Sequence, residues 1–136
     1  MVKVYIAGLL WEKENRMRLE KIDNFCKNLE FDTYLPHRDS GIYDGKSDPL
    51  PIFTRNKDEI DACDFMIAIL DWKGIGSGTA WELGYAYAKN KKVFAIAEDK
   101  KSLNKEFRMC VMCFNSVIIV ENLKELKNEL KKENLI

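Results

Sequence analysis

At 136 residues the chain has the length of one domain of ordinary size, and with 46% hydrophobic and 32% charged residues it reads as globular with a sizeable core. Lysine plus arginine and aspartate plus glutamate balance at 22 each, so no net basic field holds a nucleic-acid backbone, and no basic block reads as a nucleic-acid arm. No charged-then-apolar signal segment opens the chain and no apolar run approaches the ~20 residues that cross a bilayer, so the expectation is a cytoplasmic protein, free of membrane and nucleic-acid polymer, with its four cysteines reduced.

Residues 2–7 are the first of five short apolar runs and predict a strand. Residues 12–29 predict a helix, with Leu19, Ile22, Phe25, Cys26 and Leu29 on one stripe. A second strand is expected at 31–35, followed at 36–49 by an irregular stretch rich in Gly, Asp, Ser and Pro, a length that is usually functional or mobile. Residues 51–62 read as a helix with Ile52, Phe53 and Ile60 on its apolar side, and 65–70 as the third strand. A helix at 79–89, a strand at 93–97, a helix at 103–113, a strand at 116–120 and a charged amphipathic helix at 122–132 complete the chain.

Most of the apolar runs do not alternate with polar residues, as expected of strands covered on both faces. Strands alternating with helices imply right-handed crossovers. The expected fold is α/β: one domain over residues 1–136, an open parallel five-stranded sheet with helices on both faces, flavodoxin- or Rossmann-like. Ligands of such sheets bind beyond the carboxyl ends of the strands, which selects residues 8–11, 36–45, 71–79 and 98–101 as the candidate rim.

The most informative stretch runs from Asp71 through Gly74, Gly76 and Gly78 to Ala86. It leaves a strand, turns on glycines that allow close backbone approach, and enters a helix. Glu82 is expected in that helix's first turn, where the helix N-terminus keeps a carboxylate ionised. An ionised carboxylate in a sugar-binding cleft can attack an anomeric carbon and form a covalent glycosyl intermediate. Thr79-Ala80-Trp81-Glu82 is also a Thr-x-x-Glu capping box, and these four residues taken alone favour the cap.

Gly78-Thr79-Ala80-Trp81-Glu82-Leu83-Gly84-Tyr85-Ala86 resembles the signature of the nucleoside 2-deoxyribosyltransferase family. Val4 to Gly8, Tyr34-Leu35-Pro36 and the stretch from Asn56 to Asp71 resemble further blocks of that family in the expected order, so the likeness covers roughly residues 2–120. It implies Glu82 as the nucleophile at C1′ of a deoxyribose and Tyr5 as the group that orients it by a phenolic hydrogen bond. It implies Asn56 on the sugar hydroxyls; Gly8, Trp11, Gly76, Ser77 and Gly78 are expected to line the substrate site from their place on the rim. Met112 is implied to enter the site from a neighbouring subunit, so a homodimer or larger homo-oligomer is expected. The substrates would be a deoxynucleoside or deoxynucleotide and a free nucleobase, with no cofactor and no metal.

Two departures from the family pattern stand out. Many transferases carry an aspartate on the base where this chain has Gly76, and Cys110 stands where relatives carry a polar residue two places before Met112. The sister activity, hydrolysis of 2′-deoxynucleoside 5′-phosphates, goes with a Ser and an Arg after the first-strand glycine. Here Leu9, Leu10 and Trp11 follow Gly8, though Ser77 and Lys73 remain candidates to hold a phosphate. A non-catalytic nucleoside- or nucleotide-binding module is the rival class. A receiver domain is disfavoured because Gly8-Leu9-Leu10 replaces the acidic pair it needs.

Cys110 and Cys113 read as half-buried packing on a helix, since a lone CxxC lacks the four ligands of a zinc site. His37 reads as a bystander in a polar loop. Trp11, Trp72 and Tyr43 read as rim aromatics able to stack on a base.

Overall fold

In the computed structural model, which describes residues 1–71, 75–98 and 110–136, the uninterrupted apolar runs become strands with nowhere polar to face. The elements are β1 (Lys3–Ala7), α1 (Lys13–Asn28), β2 (Asp32–Tyr34), α2 (Pro36–Asp39), α3 (Leu50–Ala62), β3 (Phe65–Ile69), α4 (Ser77–Ala88), β4 (Lys92–Ile96), α5 (Val111–Asn115), β5 (Ile118–Val120) and α6 (Leu123–Lys132). All pairings are parallel, in the order β2-β1-β3-β4-β5. The expected five-stranded parallel α/β sheet is therefore present. Trp72, Lys73, Gly74, the rim positions 99–101 and most of the expected helix at 103–113 lie outside the described residues.

Strand side chains alternate between two cores. Val4 and Ile6 of β1 join Leu19, Ile22, Ile67, Phe94 and Leu126 beneath α1 and α6, where Phe65 meets Phe31 and Phe94 edge-on at 5.6 and 5.5 Å. Tyr5 and Ala7 point to the opposite face and join Ile60, Leu83, Ala86 and Phe114 beneath α3, α4 and α5. This alternation puts the Tyr5 phenol on the side of the sheet where α4 lies.

Three boundaries differ from expectation. The irregular stretch begins with a single helical turn, α2, because Pro36 has the φ that suits a first helical position and lacks the N–H that would go unpaired there. Helix α4 begins at Ser77, two residues before the expected start, with Gly76 as its cap. Cys110 is not inside a helix but is the extended residue that caps α5. Among the described residues no helix is long and apolar enough to cross a membrane.

Gly8, at the end of β1, has no room for a side chain: a β-carbon there would stand 2.8 Å from Cδ2 of Leu19, which is wholly buried. Gly8→Ala is expected to lower stability by about 1–3 kcal/mol through overpacking. Urea unfolding should show a lower midpoint with an unchanged slope.

Candidate active site

Strand order reverses between β1 and β3, so the loops leaving these two strands part and open a crevice at their carboxyl ends. A cleft of about 570 Å³ occupies that place. Gly8 to Trp11 form one side and Gly76 to Thr79 another, while Asn56 and Phe53 of α3 and Trp81 and Glu82 of α4 close it.

Glu82 stands in the second turn of α4, not the first, because the helix begins at Ser77. Gly76 caps the helix with no side-chain bond, and Thr79 is buried within it, so no capping box forms. That frees the carboxylate for another partner, the hydroxyl of Tyr5, which donates to Glu82 Oε2. The expected ionisation by the helix N-terminus is corrected by the same shift of boundary. Burial, opposed by the Tyr5 hydrogen bond, pushes the Glu82 carboxyl up to about 7. Near neutrality both forms of the acid are therefore present.

Tyr5 remains a donor throughout, because burial, then the charge and hydrogen bond of Glu82, raise its phenol far above the ordinary range. Its ring stacks on that of Tyr34, with centroids 5.4 Å apart. The hydroxyls of Tyr34 and Ser40 both donate to Oδ1 of Asn56, each at 2.8 Å. With its carbonyl oxygen so engaged, what Asn56 can offer a ligand is its amide N–H groups. Tyr34 and Ser40 were not singled out by sequence reasoning. Tyr34 occurs in a recognised block, but nothing in the string shows that its hydroxyl crosses to α3.

Among the other expected residues, Gly8, Trp11, Gly76, Ser77 and Gly78 all line the cleft, as does the rim aromatic Tyr43. Trp11 is 69% exposed. Leu9 fills the space beside Gly76, where a β-carbon would run into its Cδ2. Phe53, expected on the apolar side of its helix, instead meets Trp81 edge-on at 5.4 Å at the cleft wall. Met112 is 80% exposed and is not part of the cleft of its own chain. His37 meets Glu20 at 3.1 Å and does not line the cleft. No group of three or more His, Cys, Asp or Glu is gathered to hold a metal ion among the described residues.

The profile of the family described as nucleoside 2-deoxyribosyltransferase matches residues 4–131. A search of curated sequences returns no significant match. Among solved structures, a 2-deoxyribosyltransferase from Bacillus psychrosaccharolyticus superposes with a TM-score of 0.79 at 21% identity, covering 93% of this chain and 91% of that one. A 2-desoxiribosyltransferase from Leishmania mexicana gives 0.72 at 21% identity, covering 96% and 97%. A CMP N-glycosidase from Clostridium botulinum gives 0.62 at 21% identity, covering 96% and 98%.

The acidity of Glu82 has a consequence for stability. Its folded value, about 7, lies above its ordinary 4.5, so the neutral acid favours the fold. That contribution is complete below the ordinary value and is lost as pH rises through about 7. Glu82→Gln stays neutral and can still accept from Tyr5. Near pH 8 it is expected to exceed the wild type in stability by about 2 kcal/mol, discounted for water in the cleft, with the difference vanishing near pH 4. Urea titrations at the two pH values measure this.

Proposed function

We propose, because the chain belongs to the nucleoside 2-deoxyribosyltransferase family, that it breaks the N-glycosidic bond of a 2′-deoxynucleoside through a covalent ester on Glu82 and passes the sugar to a second base. Family membership indicates a glycosyltransferase or N-glycosidase; substrate, mechanism and residue roles are the parts we add. The observation that carries them is the Glu82 carboxyl held by Tyr5 at the wall of a cleft of about 570 Å³.

Tyr5 holds Oε2 of Glu82, leaving Oε1 to attack C1′ as the base departs with the bonding electrons and takes up a proton. A ring nitrogen of the incoming base then attacks C1′ and that base gives up its N–H proton, replacing the one the departing base took, as the ester oxygen returns to Glu82 as carboxylate. The amide of Asn56 donates to a sugar hydroxyl oxygen. Trp11, Tyr43 and Trp81 offer flat apolar surfaces to a base. Gly76 gives the base only backbone groups, so recognition there rests on stacking more than on a charged partner. Carboxylate attack on an anomeric carbon needs no metal or organic cofactor.

A 5′-monophosphate substrate, with water as acceptor, is the second reading. It is favoured by the first turn of α4, where the N–H groups of Ser77, Gly78 and Thr79 precede the helix's first acceptor bond and line the cleft beside the Ser77 hydroxyl. We further read the functional form as a homo-oligomer, on the ground that Met112 is 80% exposed away from its own cleft. Sedimentation showing an active monomer would refute that.

Incubation with deoxyinosine and adenine should yield deoxyadenosine, whereas free base from dAMP without exchange would select the second reading. Product from neither would sink both readings and leave a non-catalytic binding module. Glu82→Ala should cost on the order of a thousandfold or more in kcat/KM. The wild-type rate should rise with pH through about 7, because the carboxylate is the reacting form. In Tyr5→Phe the hydrogen bond favouring that carboxylate is gone. The rising limb should move to higher pH, with a loss of about ten- to a hundredfold at neutrality.

A further inference from the structure

Four cysteines are present as free thiols, and two of them are unlike the others. Cys26 and Cys63 are each buried, and burial pushes their thiols up to about 12 and about 11. Cys110 and Cys113 instead face each other. The Sγ of Cys110 accepts the backbone N–H of Cys113 at 3.3 Å. Cys110 is half-exposed, whereas Cys113 is buried with Phe114 in the core cluster that also contains Leu83 and Ala86 of α4. An accessible sulfur held on the backbone of a sheltered cysteine three residues on is an arrangement that lets one thiol be attacked from solvent and the second resolve the product.

We propose that Cys110 and Cys113 are a redox-active dithiol, which a low-molecular-weight disulfide such as oxidised glutathione converts to an intramolecular disulfide. Cys110, as thiolate, attacks one sulfur of the small disulfide and expels the other as a thiol after protonation, leaving a mixed disulfide. Cys113 then gives up its proton and attacks the Cys110 sulfur, and the second small thiol departs. Two protein thiols are oxidised and one small disulfide is reduced to two thiols. Hydrogen bonding from Cys113 holds the Cys110 thiol below its ordinary range, favouring it for the first attack. Burial pushes Cys113 up to about 11, fitting it to the second. A metal reading is weaker, since two thiols supply half of a tetrahedral zinc site and no third ligand is gathered among the described residues.

The test is to incubate the full-length protein with excess oxidised glutathione, quench in acid, denature, alkylate the remaining thiols and measure intact and peptide masses. The wild type should lose two alkylation sites, both mapping to the peptide that carries Cys110 and Cys113, and regain them with dithiothreitol. Cys113→Ser should accumulate glutathione on Cys110, and Cys110→Ser should stay unmodified at Cys113. Four free thiols in the wild type, a persistent wild-type glutathione adduct, or a link between different chains on a non-reducing gel would each overturn the proposal. None of these outcomes depends on turnover of a nucleoside.

Discussion

A hydroxyl on the first strand and a carboxyl on the fourth helix meet across the main core, and the cleft is arranged around that meeting. Tyr5 reaches Glu82 only because period-two alternation turns it toward α4 while Val4 and Ile6 turn toward α1 and α6. Glu82 is available only because α4 begins at Ser77. Had Thr79 been the cap, the same carboxylate would have sat in the first turn and bonded backward to the Thr79 backbone. A shift of three residues in the cap of one helix separates a capping residue from a candidate nucleophile.

Burial and hydrogen bonding act on this pair in opposite directions. Burial favours the neutral acid of Glu82, while the donor on Tyr5 favours the anion. The compromise lies near neutral pH, where a carboxylate is less comfortable than it would be in water and correspondingly more ready to form a bond. The supporting network extends well away from the pair. Tyr34 stacks on Tyr5 and, with Ser40, anchors the Asn56 carbonyl, so a strand, a one-turn helix and a long helix are tied to one wall of the cleft.

The strands were legible from their composition, because runs such as 65–70 have no polar alternation and so permit only a doubly covered sheet. Glu82, Tyr5 and Asn56 were legible through a resemblance to a known motif, and Gly8 and Trp11 through their place after a strand. The helix start at Ser77 was not, since Gly76-Ser77-Gly78 reads locally as a turn and a glycine cap carries no side-chain signal. Tyr34 and Ser40 were missed because their role depends on contacts across 22 and 16 residues of sequence. The spacing of Cys110 and Cys113 was visible, but not that Cys110 caps α5 with its sulfur accepting the Cys113 N–H.

The fit of Leu9 against Gly76 also constrains how this cleft can evolve. Because any side chain at position 76 would collide with the tip of Leu9, the two sites are coupled, and a base-contacting acid at 76 has no room until Leu9 withdraws or becomes smaller. The order of substitutions matters along such a path: trimming residue 9 first opens a vacancy facing the cleft, whereas enlarging residue 76 first forces a clash. A lineage that keeps the leucine can accept a side chain at position 76 only by turning that leucine tip aside.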